Sequence, residues 1–131
     1  MTDLAQSTMP FCEELNITTQ LATAERVTLT IEWAAELCTI GGVMHGGAIM
    51  SLADSAGAIC AFLNLPDGAT GTSTIQSSTN LLAAVRTGTV EATATPLHAG
   101  KSTVVVVTEV RNEGRLVAVT TQTQAVFRPS V

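Results

Sequence analysis

Hydrophobic and polar residues follow two different spacings along this chain, and each spacing predicts a different kind of element. Residues 26–33 alternate between apolar and polar side chains, which is the period of a strand with one buried face. Residues 46–63 form an almost wholly apolar run that stops before the turn signal Pro66-Asp67-Gly68. A helix that is hydrophobic all round is a buried helix, so this run predicts one long helix inside the fold.

Shorter elements precede the long helix. A short helix is predicted at residues 10–15, where Pro10 stands in the first turn. Residues 34–44 have no regular period and predict a loop, in which Gly41 and Gly42 give the backbone the freedom to turn.

The rest of the chain predicts strands. The Val-rich run 104–107 is typical of a strand that is covered on both faces. We predict an α+β domain over residues 1–131, with a flexible segment at 1–9 and one antiparallel sheet of five to six strands wrapped around one central helix. The predicted strands are residues 17–23, 26–33, 70–85, 89–97, 102–111 and 115–127.

The charge balance and the apolar content limit the classes of partner. Six basic residues against eleven acidic ones give a net charge of −5. No basic stripe is present, so we expect no nucleic acid and no membrane as a partner. Apolar residues make up 46 % of the chain, which leaves too few polar residues to cover a monomer. We therefore expect a homodimer at minimum, and the Val-rich run favours a homotetramer.

The cysteines indicate a reducing compartment. Cys12, Cys38 and Cys60 are odd in number and lack metal-ligand spacing, so we interpret them as small buried hydrophobic residues and expect no metal site and no cofactor. The first ten residues lack the basic start and apolar core of a signal peptide. The apolar stretch 48–65 contains several polar residues and is more typical of a core helix than of a membrane span. We expect a cytoplasmic protein.

One acidic residue lies in the middle of the apolar helix. A buried carboxylate is unfavourable unless it is paired or functional, which makes Asp54 the first candidate for chemistry. At the predicted helix start, Gly46 and Gly47 allow a ligand close to backbone N–H groups that lack intrahelical partners. Two structural alternatives remain open. Asp54 could bond Ser51 or Ser55 on its own helix, and the glycines could merely make a tight helix entry.

The spacing of these candidates indicates two subunits. Gly46 and Asp54 are eight residues apart, which is about 12 Å along a helix. An oxyanion donor and a catalytic carboxylate must both come within about 3 Å of one reacting group. If both act on one substrate, they must therefore come from different subunits.

Several motifs together resemble a known family. They are Pro10-Phe11, Gly42-x-x-His45-Gly46-Gly47, Leu52-Ala53-Asp54 and Gly71-Thr72-Ser73. With these motifs in this order and spacing, the chain resembles the hotdog-fold acyl-CoA thioesterases, and is most similar to the PaaI-like branch of phenylacetic-acid-pathway and 4-hydroxybenzoyl-CoA thioesterases. The resemblance covers roughly residues 10–127.

The resemblance implies a role for several residues in hydrolysing an acyl-CoA to a free acid and CoA. The Gly46 N–H would bind the carbonyl oxygen, and Asp54 would be the base or nucleophile. Thr39 stands where the family often carries an Asn or Gln that positions the thioester or the attacking water, and its hydroxyl can still donate a hydrogen bond. His45 would orient the loop at the helix start, and Gly47 would leave room for the thioester. Ser73 would assist the carboxylate. Arg86 and Lys101 would bind the CoA phosphates.

Two other functions stay open. Because Thr39 departs from the family pattern, the chain could be a hotdog module that binds acyl-CoA or another ligand without turnover. A hotdog dehydratase or hydratase would need a His and an acid poised over the acyl chain, and His45 fits that arrangement poorly.

Overall fold

The computed structural model describes residues 3–130. One long helix, α3 (Gly46–Leu63), lies against the inner face of a six-stranded antiparallel sheet. The strand order is β1-β2-β4-β5-β6-β3, so the strand that follows α3 closes the far edge beside the last strand. The predicted α+β arrangement is confirmed. The strands are β1 (Thr18–Ala22), β2 (Val27–Glu32), β3 (Gly71–Leu81), β4 (Thr89–Ala99), β5 (Thr103–Asn112) and β6 (Arg115–Phe127).

Small residues allow α3 to lie close to the sheet. Ala56 and Gly57 are buried on the helix, and Ala92 and Ala94 are buried on β4. Since these side chains are short, the helix and strand backbones can approach each other, and larger apolar side chains fill the space around them. The fully buried larger side chains of this core include Ile17, Leu29, Ile31, Met44, Leu52, Val90, Val104 and Val106.

The N-terminal segment differs from the expectation of a flexible stretch at 1–9. Residues Leu4–Thr8 form a helix, α1, and Pro10–Glu14 form α2 as predicted. Asp3 caps α1 and also accepts hydrogen bonds from the backbone N–H and the hydroxyl of Thr19 on β1, at 2.7 and 2.9 Å. The sequence interpretation missed this Asp cap. Residues 1 and 2 of the expected flexible stretch lie outside the described residues.

The Val-rich run is covered on one face in this chain. Val104 and Val106 are fully buried against the core, whereas Val105 and Val107 on the outer face are only half-buried. The prediction that this strand is covered on both faces is therefore wrong for the single chain, because the inner helix layer has no counterpart on the outside in residues 3–130.

The long helix is not buried all round. Met50, Asp54 and Phe62 are exposed, and their spacing of four and eight residues places them on one face of α3. The expectation that Asp54 is buried is wrong for the single chain, since this face points away from the sheet. By length and hydropathy α3 could span a membrane, but 56 % of it is buried in the domain, as in a core helix.

The edge strand β3 is long and open. It pairs only with β6 among the described strands, so its other side carries unpaired backbone N–H and C=O groups. Most of its side chains are exposed, and Ile75 is 64 % exposed. An open edge of eleven residues is a template for pairing with another strand.

Candidate active site

His45 fixes the start of α3. Its ring Nδ1 atom accepts a hydrogen bond from the backbone N–H of Gly47 at 2.8 Å. The backbone N–H of His45 donates to the Leu37 carbonyl, also at 2.8 Å. A Cβ atom on residue 47 would lie 2.9 Å from that Nδ1 atom, so only glycine leaves room for the ring. His45 therefore acts as the N-cap of the helix and orders its first turn.

Gly46 presents a free donor at the same point. Among residues 3–130 no acceptor pairs with its backbone N–H, while the Gly47 N–H is used by His45. The Gly46 N–H lies at the positive end of the helix dipole, where it can bind an oxygen that gains negative charge.

The loop before the helix is held by its backbone. Gly41 and Gly42 have φ angles of 77° and 75°, which other residues rarely adopt, so the prediction of a glycine-dependent turn is confirmed. The Trp33 indole N–H donates to the Gly42 carbonyl at 3.0 Å, and the Met44 N–H donates to the Val85 carbonyl at 2.8 Å. These bonds anchor the loop to Trp33, directly after β2, and to Val85, in the segment between β3 and β4.

Thr39 and Arg86 flank this loop. Thr39 is exposed, its N–H donates to the Val43 carbonyl at 2.8 Å, and its hydroxyl pairs with no group in residues 3–130. Arg86 is exposed, and its guanidinium lies 3.5 Å from the Gly41 carbonyl oxygen. The structure thus brings both residues close to the helix start, although neither contacts the other.

Asp54 is held by a strand residue and not by its own helix. Its Oδ1 atom accepts a hydrogen bond from the Thr74 hydroxyl at 3.3 Å. The hydroxyls of Ser51 and Ser55 instead donate to the carbonyls of Gly47 and Ser51, each at 2.7 Å. The alternative in which these serines bind the carboxylate is therefore wrong, because both hydroxyls are used inside the helix.

Two buried glutamines orient Thr74. The Gln124 amide donates to the Thr74 hydroxyl oxygen at 2.5 Å and also donates to the Gln122 side-chain oxygen. Because the Thr74 oxygen accepts from Gln124, its own proton is directed toward Asp54. Gln122 and Gln124 are almost completely buried, and Gly57 makes room for Gln122, since a Cβ atom there would lie 2.5 Å from it.

These polar groups were not predicted from the sequence. Ser73 is exposed and lies next to Thr74 on β3, and successive strand residues point to opposite faces. Within one chain it is Thr74, and not Ser73, whose hydroxyl bonds the carboxylate. A signal was present in β6, where Gln122 and Gln124 occupy alternate positions opposite buried residues of β5. Polar residues at inward positions indicate a buried network.

Lys101 lies far from the helix start. It is in the turn after β4, and its carbonyl accepts a hydrogen bond from Arg128, which also reaches the Asp67 carbonyl beyond the end of α3. The 18 residues of α3 separate this end from Gly46, a distance of about 27 Å. One chain therefore does not bring Lys101 and Arg86 together.

The site residues thus form two groups on one helix. Gly46 and Asp54 are separated by eight residues of continuous α-helix, or about 12 Å. A cavity of about 240 Å³ lies beside the helix start and contacts His45 and Gly47. In the described part of the chain no three His, Cys, Asp or Glu side chains lie together as metal ligands.

Comparison with known proteins places this geometry in a family. Residues 41–119 match the model of the thioesterase superfamily. A thioesterase from Haemophilus influenzae is 25 % identical with a TM-score of 0.84, and the match covers 98 % of this chain and 93 % of that one. Thioesterase PA1618 from Pseudomonas aeruginosa, solved as a mutant, is 23 % identical with a TM-score of 0.87, covering 94 % and 91 % of the two chains.

A curated relative is similar over a shorter region. "Putative esterase VC_A0580" of Vibrio cholerae is 39 % identical over 88 residues, which are 66 % of this chain and 58 % of that protein. The chain therefore spans less than two thirds of the length of this relative. The family match, the six-stranded sheet and the central helix agree, and the chain belongs to the thioesterase superfamily and has its hotdog fold.

Proposed function

We propose that this protein is an acyl-CoA thioesterase of the PaaI-like kind, which hydrolyses a thioester to a free carboxylic acid and CoA. The observation that carries the proposal is the pairing of two features on α3. The Gly46 N–H is free at the helix start, and the Asp54 carboxylate faces outward with a single hydrogen bond from Thr74. Membership of the thioesterase superfamily supports the reaction class.

The chemistry follows from these two groups. The Gly46 N–H and the helix dipole polarise the thioester carbonyl and stabilise the oxyanion of the tetrahedral intermediate. Asp54 either takes a proton from the attacking water or attacks the carbonyl carbon itself. The C–S bond then breaks, and the thiolate of CoA takes up a proton. When water attacks, this step gives the free acid directly. When Asp54 attacks, it leaves an anhydride between the acyl group and Asp54, which water hydrolyses to the free acid and the regenerated carboxylate. The Thr74 hydroxyl holds Oδ1, which leaves Oδ2 for the reaction.

Two copies of the chain complete the proposed site. Within one chain Gly46 and Asp54 are too far apart to act on one carbonyl, so each site takes Gly46 from one subunit and Asp54 from its partner. Two surfaces support association. The open edge of β3 can pair with a second strand, and the exposed face of α3 carries the apolar side chains of Met50 and Phe62 beside Asp54.

Arg86 is the better placed of the two proposed phosphate ligands. It is exposed beside the loop that precedes Gly46, and a guanidinium binds phosphate with charge-assisted hydrogen bonds. Lys101 lies at the other end of α3, so any contact it makes with the same CoA must come from the partner subunit or a further copy.

The proposal is tested by measuring free-thiol release from a panel of acyl-CoA thioesters. We expect turnover by the wild-type protein and a loss of about a hundredfold or more in Asp54→Asn, which keeps the size and one acceptor of the side chain. Glu25→Gln is a matched control, because it also neutralises an exposed acid and lies in the turn between β1 and β2, outside both cavities. Equal turnover by Asp54→Asn would refute the site. Tight acyl-CoA binding without any turnover would support the ligand-binding module instead.

A further inference from the structure

An apolar cavity of about 480 Å³ lies beside the second half of α3. One wall is formed by Ala58 and Phe62 of the helix, and Thr72 at the start of β3 forms another. The N-terminal residues Thr8 and Met9 complete it. The segment that had been expected to be flexible is therefore part of a binding-sized cavity.

The cavity begins next to the candidate carboxylate. Ala58 and Phe62 follow Asp54 by four and eight residues, so they lie on the same helix face at about 6 and 12 Å along the axis. Thr72 lies two residues before Thr74, on the same face of β3, and Thr74 donates to Asp54. A thioester carbonyl placed at Asp54 would thus have its acyl group at the mouth of the cavity.

The side chains that line the cavity offer a ligand no free hydroxyl proton. Its two hydroxyls are already used inside the protein. Thr8 donates to the Leu4 carbonyl at 2.7 Å, and Thr72 donates to the Ala125 carbonyl at 2.8 Å. Among residues 3–130 no charged residue lines the cavity, and Phe62 is the one aromatic side chain in its wall. Such a wall favours a plain hydrocarbon, because its side chains donate no hydrogen bond to a hydroxylated or charged acyl group.

We propose that this cavity binds the aliphatic acyl chain of the substrate, which makes the enzyme selective for unsubstituted medium-chain acyl-CoA thioesters. This assignment rests on the proposed function. Along α3 the distance is about 12 Å from Asp54, past Ala58 at the near side of the cavity, to Phe62 at its far side, and an extended chain advances about 1.2 Å per bond. A chain of about eight to ten carbons therefore fills it.

The test compares two non-hydrolysable thioethers, S-decyl-CoA and S-ethyl-CoA, by isothermal titration calorimetry. Their headgroups are identical, so the ratio of their affinities reports the alkyl chain alone. We expect the decyl compound to bind tighter by about fourfold for each methylene that enters the cavity. Ala58→Leu and Thr8→Leu fill the cavity from two separate elements and should each lower the decyl-to-ethyl ratio at least about tenfold.

Ala99→Leu is the matched control. It adds the same atoms to an exposed position of β4 outside the cavity and should leave the ratio unchanged. A wild-type ratio near one, or a ratio that neither cavity variant changes, would overturn the proposal and indicate that the partner subunit fills this space. Because thioether binding needs no hydrolysis, a high ratio in a protein without turnover would refute the proposed activity and still support the cavity.

Discussion

Thr74 links the candidate carboxylate to the buried core, and its hydroxyl is the group that this structure adds to the chemistry. We predict that Thr74→Val, which keeps the shape and removes the donor, lowers kcat about tenfold or more, because hydrogen bonds to charged groups contribute about 1.5–3 kcal/mol. KM should change less, since the Thr74 hydroxyl donates to Asp54 and so acts through the carboxylate.

Two further variants separate positioning from packing. Thr74→Ser restores a hydroxyl and should recover most of the lost kcat. Thr79→Val removes a hydroxyl from the same strand, where it pairs with Thr120 at 2.7 Å and not with the site, and should keep wild-type kcat. Equal loss of kcat in the Val and Ser variants at position 74 would contradict the role of the hydroxyl.

Cys60 couples stability to alkaline pH. Burial raises the pKa of its thiol from 9.0 to about 11. The folded state therefore holds this proton more tightly than the unfolded state, so the stabilisation is complete below pH 9 and is lost as the pH rises toward 11. Burial also raises the pKa of the Cys12 thiol, so the contribution of Cys60 is isolated by comparison with Cys60→Ala.

We expect the free energy of unfolding of the wild-type protein to fall between pH 9 and 11. Over this window it should lose about 1–3 kcal/mol more than the Cys60→Ala variant loses. Urea unfolding at a series of pH values measures both slopes. Since Cys60→Ala also loses packing, the slopes are compared and not the absolute stabilities. Parallel curves for the two proteins would contradict the raised pKa.

Helix α3 shows which elements a sequence determines well. Its bounds were predicted correctly, because an unbroken apolar run begins at His-Gly-Gly and ends before a Pro-Asp-Gly turn. The β6 strand was also predicted with its observed bounds. The exposed face of α3 was not predicted, since an all-apolar run does not say which side another subunit or a ligand covers. Contacts between distant elements, such as Thr74 with Asp54, lie beyond any local pattern.

Gly57 is the point where α3 meets the glutamine network of β6. We predict that Gly57→Ala destabilises the protein by about 1–3 kcal/mol, because the added methyl overlaps the buried Gln122 side chain. This outcome opposes the usual gain from replacing a helical glycine with alanine. Urea unfolding measures it, and Gly57→Ala combined with Gln122→Ala should recover part of the loss. An unchanged or higher stability of the single variant would contradict the packing.

At the scale of the whole molecule, the open edge of β3 and the apolar face of α3 are surfaces that a second copy can cover. We predict that Ile75→Asp on β3 weakens self-association and lowers the activity per chain, because it places a charge on that edge. Leu97→Asp changes a residue of β4 that is 68 % exposed and should keep the association through β3. Sedimentation equilibrium measures both, and wild-type association by Ile75→Asp would contradict an interface at β3.

A site shared by two subunits is the central claim, and two inactive variants test it most directly. Gly46→Pro removes the oxyanion donor at a helix position that tolerates proline, and Asp54→Asn removes the carboxylate. Gly46→Ala is the control, since it keeps the N–H and carries the same Cβ atom beside the Leu81 side chain.

The decisive measurement is the thioesterase activity of the two variants refolded together as a mixture. Each mixed dimer contains one site with an intact Gly46 from one chain and an intact Asp54 from the other. Random pairing makes half of the dimers mixed, so the mixture should recover about a quarter of wild-type activity, while each variant alone stays about a hundredfold below it. A mixture no more active than its components would contradict the shared site.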